Sequence, residues 1–137
     1  MRSIAVALDA LGDTTAIWRD WLADAKRRYR VDVDDLEREL PNWRPLLQRF
    51  VEERAPVYLR PDADVSAALR RLQSSGARIG VFADAPEELA RVALSQLGAT
   101  RRVLLLEAGP GALGRLSAKL GGDVEVVESR SQLVSLI

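Results

Sequence analysis

"LRPDADVSAALRRLQSSGARIGVFADAPEELARVALSQLG", residues 59–98, is the stretch whose reading decides the fold. Val65, Ala68, Leu69 and Leu72 recur at the spacing that places them on one face of a helix. Asp64 stands where an N-cap belongs, and Gly76 lies just past the end. "RIGVFA" (78–83) then lacks any apolar–polar alternation, as expected of a strand covered on both faces. A second helix follows over 84–98, with Asp84 as its cap, Pro86 and two glutamates in its first turn, and Gly98 as its stop. Helix, strand and helix joined by short links predict a parallel sheet with right-handed crossovers.

Three more apolar runs extend this pattern: "IAVAL" (4–8), "RVLLLE" (102–107) and "VEVVE" (124–128). A helix over "PGALGRLSAKLGG" ends at Gly121, and "SRSQLVSLI" supplies a last short one. The rhythm breaks between the first two strands, where a helical insertion spans about 15–60. Ile17, Trp18, Trp21, Leu22, Ala25 and Tyr29 mark its first helix. "DVDDLEREL" reads as a second, and "RPLLQRFVEERAP" as a third, with Pro45 near its start and Pro56 after its end. The expected architecture is a single α/β domain over 1–137, a Rossmann-like parallel sheet carrying a small helical cap.

Bulk composition narrows the chemistry. A chain of 137 residues with 47% hydrophobic and 29% charged residues reads as one soluble globular domain. Twenty basic residues balance 20 acidic ones, so no overall pull toward nucleic acid or anionic membrane arises. The absence of cysteine and histidine removes disulfides, thiolate nucleophiles, Cys or His metal sites and Ser-His-Asp arrangements. Any metal would be a hard cation held by Asp and Glu oxygens. No apolar run reaches the ~20 residues of a membrane span, and the N-terminal apolar stretch is too short for a signal peptide. A cytoplasmic location is the expectation.

The first strand runs into "ALDALGDTT" (7–15), and the strand ending in Asp9, the helical insertion and the 59–98 stretch together resemble the haloacid dehalogenase-like (HAD) superfamily, largely phosphatases. That resemblance implies chemistry carried by four loops at the carboxyl ends of the strands. The first loop of the family reads Asp-x-Asp-x-Thr, where the first Asp attacks phosphorus and the second protonates the leaving group. Asp9 matches the nucleophile, while Leu11 holds the acid/base position and cannot transfer a proton. Asp13 is the nearby substitute, and Thr14 follows it as a substrate contact. The dehalogenase branch resembles Asp-x-Tyr-Gly-Thr and uses no metal; the phosphonoacetaldehyde hydrolases need a cap lysine, and Lys26 is the one lysine of the insertion.

The other loops depart further from the family. The second offers Ser or Thr to phosphate, but here presents Ala83 and then Asp84. The third supplies a lysine, but here reads Gly109–Pro110, so the cation that offsets transition-state charge is missing. The fourth completes a Mg²⁺ site with acidic residues, and here leaves Glu128. Asp9 with Glu128 makes a weak Mg²⁺ site, since Mg²⁺ keeps waters and takes one or two carboxylates. The resemblance thus implies a hydrolase fold of phosphate monoester ancestry, catalytically weak or inactive. A small phosphorylated molecule or a protein partner, including a homodimer, is the expected ligand, with nucleic acid and membrane not expected. Asp9 also admits a plainer role as helix cap or acceptor of loop amides.

"GPGALG" (109–114) raises a competing reading. Its G-x-G-x-x-G follows a predicted strand, precedes a predicted helix, and is followed by Glu128 at the end of the next strand, which is the pattern of a dinucleotide fingerprint. Pro110 removes one backbone donor from it, and Gly114 has the plainer role of letting helix and sheet approach. A third reading is a non-enzymatic binding or assembly module acting through the cap, where Trp18, Trp21 and Trp43 form a small core or a partner patch. The mixed-charge run from "AKRRYR" (25–30) into "DVDDLERE" reads as a solvated face.

Overall fold

Four short strands, Ser3–Ala7 (β1), Arg78–Ala83 (β2), Leu105–Ala108 (β3) and Glu125–Val127 (β4), pair in the order β3-β2-β1-β4, and every pairing is parallel. The computed structural model describes residues 2–136. Parallel neighbours cannot be joined by hairpins, so each connection is a helical crossover. Leu8–Leu11 (α1), Thr15–Tyr29 (α2), Leu36–Glu39 (α3), Trp43–Tyr58 (α4) and Ala63–Ser74 (α5) lie between β1 and β2. Glu87–Gln96 (α6) joins β2 to β3, Ala112–Lys119 (α7) joins β3 to β4, and Arg130–Val134 (α8) closes the order. This is the expected α/β class with a Rossmann-like parallel sheet. Among the described residues no helix is long and apolar enough to cross a membrane.

Register fixes the layout of the sheet. Ala7 stands beside Phe82, Ala83 beside Ala108, and Val6 beside Val127, so the strands finish at one common edge. Ile4, Val6, Ile79 and Val81 face the larger core, where Leu69 and Leu72 of α5, Leu89 of α6, Leu47 and Val51 of α4, and Leu133 of α8 close over them. Each such side chain contributes about 1.5–3 kcal/mol on burial. The opposite face is covered by α7, through Leu116 and Leu120 against Ala5. That contact is close because β2 carries Gly80: a Cβ there would lie 2.5 Å from Leu116 Cδ1. Gly114, by contrast, has no neighbour within 4 Å of where its Cβ would be, so the glycine that permits close helix–sheet packing is Gly80 and not Gly114.

Several element ends differ from the sequence-based expectation, each for a local reason. Asp62, not Asp64, caps α5: its Oδ1 accepts from the amides of Asp64 and Val65 at 2.8 and 3.2 Å. Asp84 does not cap α6, which begins at Glu87 behind Pro86 with no side-chain cap. Pro56 lies within the last turn of α4, which continues to Tyr58. "DVDDLEREL" forms only a 3₁₀ turn at Val33–Asp35 and the single turn α3, since it buries no residue that would hold a longer helix. The third strand starts at Leu105 because Thr100–Arg102 turns as a 3₁₀ helix first.

Asp62 also receives the Arg130 guanidinium at 2.6 Å, and Arg130 reaches Asp64 at 3.1 Å, tying α8 to the start of α5. Those hydrogen bonds, from Arg130 first and the Val65 amide second, lower the Asp62 carboxyl to about 2. A carboxyl depressed in the folded state adds stability that is complete above its ordinary value of 3.8 and is lost as pH falls toward about 2. Asp62→Asn keeps a capping oxygen but removes this titration. We expect its acid-unfolding curve to be flatter than the wild type's over that window, and unfolding by denaturant at stepped pH measures it. In the same assay Gly80→Ala should destabilise by about 1–3 kcal/mol through overpacking. Gly114→Ala, free of contacts in a helix interior, should stabilise by about 0.5–1 kcal/mol.

Candidate functional site

In an open parallel sheet, ligands gather outside the carboxyl ends of the strands. Two adjoining cavities occupy that edge. The smaller, about 370 Å³, is bordered by Asp9, Thr14, Thr15 and Trp18 from the β1 side and by Phe82, Ala83, Asp84 and Ala85 from the β2 side. The larger, about 580 Å³, shares Trp18, Asp84 and Ala85 with it and runs out beneath Val33–Glu37, Trp43 and Arg44, with Gly109 and Pro110 on its far wall. The cleft thus lies between the helical insertion and the sheet edge.

Asp9 sits in the helical turn that follows β1. Its Oδ1 accepts from both the backbone amide and the hydroxyl of Thr14, at 3.2 and 2.8 Å. Thr14 is largely buried at the cavity wall, and this carboxylate satisfies its hydroxyl. The loop between them is drawn against the core, where a Cβ on Gly12 would come within 2.8 Å of Leu97 Cδ2. Leu11, at the position where the resemblance calls for an acid/base group, is packed into the main core. Asp13 accepts from the Thr15 amide at 2.9 Å and borders a different cavity, one that Asp9 shares with Tyr58, Arg60 and Arg130. Of the residues expected at the site, Asp9, Thr14 and Asp84 therefore meet in one cavity; Gly109 joins Asp84 in the next, and Asp13 meets Asp9 in a third.

Glu128 is exposed and borders neither of the two cavities that Asp9 borders; its amide donates to Gln132 Oε1 at 2.8 Å. No group of three Asp or Glu residues that could hold a metal ion exists among the described residues. Asp9 and Glu128 border no common cavity.

The "GPGALG" turn is also committed internally. Gly109 and Gly111 have φ of 87° and 76°, which glycine alone adopts without strain. The Gly109 amide donates to Ala83 O at 2.9 Å and the Ala112 amide to Gly109 O at 3.2 Å, while Pro110 has no amide hydrogen. Arg115 donates to the carbonyls of Ala108 and Pro110 and pairs with Glu107, filling the turn from within. β3 and β4 stand at opposite edges of the sheet, so Glu128 is not on the strand beside Gly109. A dinucleotide fingerprint needs its acidic residue on the neighbouring strand, and strand order does not place Glu128 there.

The charge of the cleft is one-sided. No lysine or arginine borders the smaller cavity. In the larger, Asp34, Asp35, Glu37, Asp84 and Glu87 face a single guanidinium, Arg44. Arg44 is already engaged, 3.0 Å from Glu88 and 3.6 Å from Glu37, with its guanidinium 4.4 Å above the Trp43 ring. Trp18, Trp21 and Trp43 form one cluster with centroids 5.6 to 6.5 Å apart. Trp21 and Trp43 are core, as the helical spacing indicates, but Trp18 and Trp43 also wall the cleft. Sequence reasoning missed the acidic lining, because "DVDDLERE" carries the ordinary look of a solvated face; its signal was three tryptophans beside an acidic run.

The Asp9–Thr14 contact makes a direct expectation. Asp9→Ala leaves the buried Thr14 hydroxyl without its acceptor and should destabilise by about 1–3 kcal/mol. Asp9→Asn keeps an oxygen acceptor and should stay within about 0.5 kcal/mol of wild type. Paired denaturant titrations check both, and equal stability of all three proteins would remove the structural role from Asp9.

No family model matches the chain, and no curated protein matches it in sequence. Among solved structures it is similar to the crystal structure described as "putative beta-phosphoglucomutase from Thermotoga maritima", at 15% identity and a TM-score of 0.60, over 93% of this chain and 75% of that one. A likeness at that identity is one of fold, and the fold it supports is the HAD-like, Rossmann-type α/β sheet.

Proposed function

We propose that this chain is a HAD-like hydrolase-fold protein in which phosphate monoester hydrolysis is weak or absent, and in which the insertion at about 15–60 serves as a cap over a ligand-binding cleft. The observation that carries this reading is the company Asp9 keeps. In the smaller cavity the one other ionisable group is Asp84, a second carboxylate, with no cation on the lining; Arg60 and Arg130 border the separate cavity on the other side of Asp9. Phosphoryl transfer is catalysed mainly by positive charge and hydrogen-bond donors aimed at the transferring oxygens. Two carboxylates without a compensating cation repel a phosphate dianion instead.

The remaining roles are equally short of partners. A nucleophilic Asp9 would need a proton donor for the leaving group, but Leu11 is buried hydrocarbon and Asp13, which borders Asp9's other cavity and not the one shared with Thr14 and Asp84, holds the Thr15 amide. Asp9 itself spends its Oδ1 on Thr14. Asp9 and Glu128, the two carboxylates that the resemblance offers to magnesium, border no common cavity, which leaves Asp9 without that partner. What the cleft retains is the position, the size and the walls of a binding site, since about 300–1,000 Å³ is ordinary for a small-molecule pocket.

Hydrolysis of an aryl phosphate and of a panel of small phosphate monoesters, with and without Mg²⁺, tests the reading. Wild type and Asp9→Asn, prepared identically, should give equal rates near background. Wild-type turnover that falls by about a thousandfold or more in Asp9→Asn, as loss of a working nucleophile produces, would overturn it.

A further inference from the structure

A second concavity, of opposite charge, lies away from the cleft. We propose that a recess of about 210 Å³ between α5 and the Gly98–Arg102 turn binds a phosphate-type oxyanion. Ser66 and Arg70 border it from α5, one helical turn apart, and Arg102 borders it from the other wall. Leu69 and Leu97 line it with hydrocarbon, and Asp62 is its one carboxylate. None of these residues borders either cavity of the cleft, so the proposal does not rest on the reading given to that site.

The charge of the recess is uncompensated. Arg70 and Arg102 form no ion pair among the described residues. Asp62 is already taken up: Arg130 donates to both its oxygens, at 2.6 and 3.3 Å, and the amides of Asp64 and Val65 donate to its Oδ1. Two guanidinium charges are therefore left for whatever enters. Arg71 and Arg101, their chain neighbours, are exposed and also in no ion pair, and they add to the same field.

One of the two cations is also held in place. Arg102 is half-buried, and its Nη1 donates to Gln73 Oε1 at 2.8 Å, while Gln73 Nε2 donates to the Arg101 carbonyl at 3.3 Å. Gln73 thus ties the turn to α5 through a neutral amide, which orients the guanidinium without cancelling its charge. A donor already ordered loses less freedom when a ligand binds. Size and charge then narrow the ligand. The recess is smaller than the about 300 Å³ at which pockets for whole small molecules begin, so it suits a single oxyanion group. Guanidinium forks match phosphate oxygens as bidentate donors, and Ser66 adds a hydroxyl. Two cations balance a phosphate dianion, whereas a carboxylate would balance one of them.

Titration of the isotope-labelled protein with inorganic phosphate at constant ionic strength, followed by amide NMR shifts, tests the site. Saturable shifts are expected at Ser66–Arg70 and Gly98–Arg102, and acetate should bind at least about tenfold more weakly. Arg70→Gln and Arg102→Gln should each weaken phosphate by about tenfold. Arg49→Gln removes an exposed arginine of α4 that borders neither the recess nor the cleft, and should leave binding unchanged. Arg70 is exposed, so Arg70→Gln keeps the fold and carries the test even where Arg102→Gln does not. Phenyl phosphate separates two sources of the group: binding equal to or tighter than inorganic phosphate identifies a monoester, weaker binding identifies the free ion, and both support the site. Absence of saturation, shifts centred on the cleft, equal binding of acetate, or unchanged affinity in Arg70→Gln would each overturn the inference. The phosphatase assay stands apart, since Asp9 does not border the recess.

Discussion

β1 is paired along both edges and covered on both faces, and the position of everything else follows from that. Ile4 and Val6 look into the larger core while Ala5 meets Leu116 and Leu120 of α7. A strand so enclosed has one face for each layer of helices, which is why its sequence is apolar throughout rather than alternating. Pairing with β2 and β4 in parallel brings their ends level, so the turn bearing Asp9, the Ala83–Asp84 step and the Gly109 turn open onto one edge. The small side chains of Ala5 and Gly80 are part of the same constraint. Leu116 fits against β2 because nothing larger than hydrogen stands at position 80, and a bulkier residue there would lift α7 from the sheet.

That edge supplies a place for a ligand but not a chemistry. In the strand-end loops the chain puts Asp9 and Asp84 where a phosphate would lie, with the hydroxyl of Thr14 turned to Asp9 and no cation on the lining. Several cations of the same half of the molecule are paired with carboxylates, while Arg60 borders the cavity on the other side of Asp9. Arg130 binds Asp62 and Asp64, Arg115 binds Glu107 and its own turn, and Lys119 completes the Glu107 pair at 2.7 Å. These pairs are largely exposed and each adds little to stability. None of these cations borders either cavity of the cleft.

The parts of the fold that were legible in the sequence are those governed by local rules. "RIGVFA" is a strand at its expected limits, and the Val65, Ala68, Leu69 and Leu72 face is buried as its periodicity requires. Where rules compete, the outcome depended on contacts the sequence does not display. Asp62 and Asp64 are both good caps, and Asp62 prevails with Arg130 held to it across 68 positions. Pro56 stays within α4 although it gives up the bond to the carbonyl four residues back, and the last turn is closed by the Leu59 amide on Ala55 O at 2.7 Å. "GPGALG" has the letters of a nucleotide turn, but strand order places Glu128 at the far edge, and order is a tertiary fact. The site divides in the same way: Asp9, Thr14 and Asp84 follow from the strand ends, whereas the cavity each borders follows from packing.

The insertion carries the information that strand-end motifs lack. Asp34, Asp35 and Glu37 come from its short turns, and Trp18 and Trp43 from its two long helices; the sheet contributes Asp84 and the Gly109–Pro110 wall. The turns are short and anchored to the core only through the partly buried Val33 and Leu36, with their charged residues exposed. Charges on such a segment are free to be chosen by what faces them. Here they face a cavity walled by indoles, and Arg44 bridges the insertion to α6 by its contact with Glu88. The sheet therefore determines where the cleft lies, while the character of whatever enters it is set by residues 33–44, the part of the chain with the weakest secondary-structure signal.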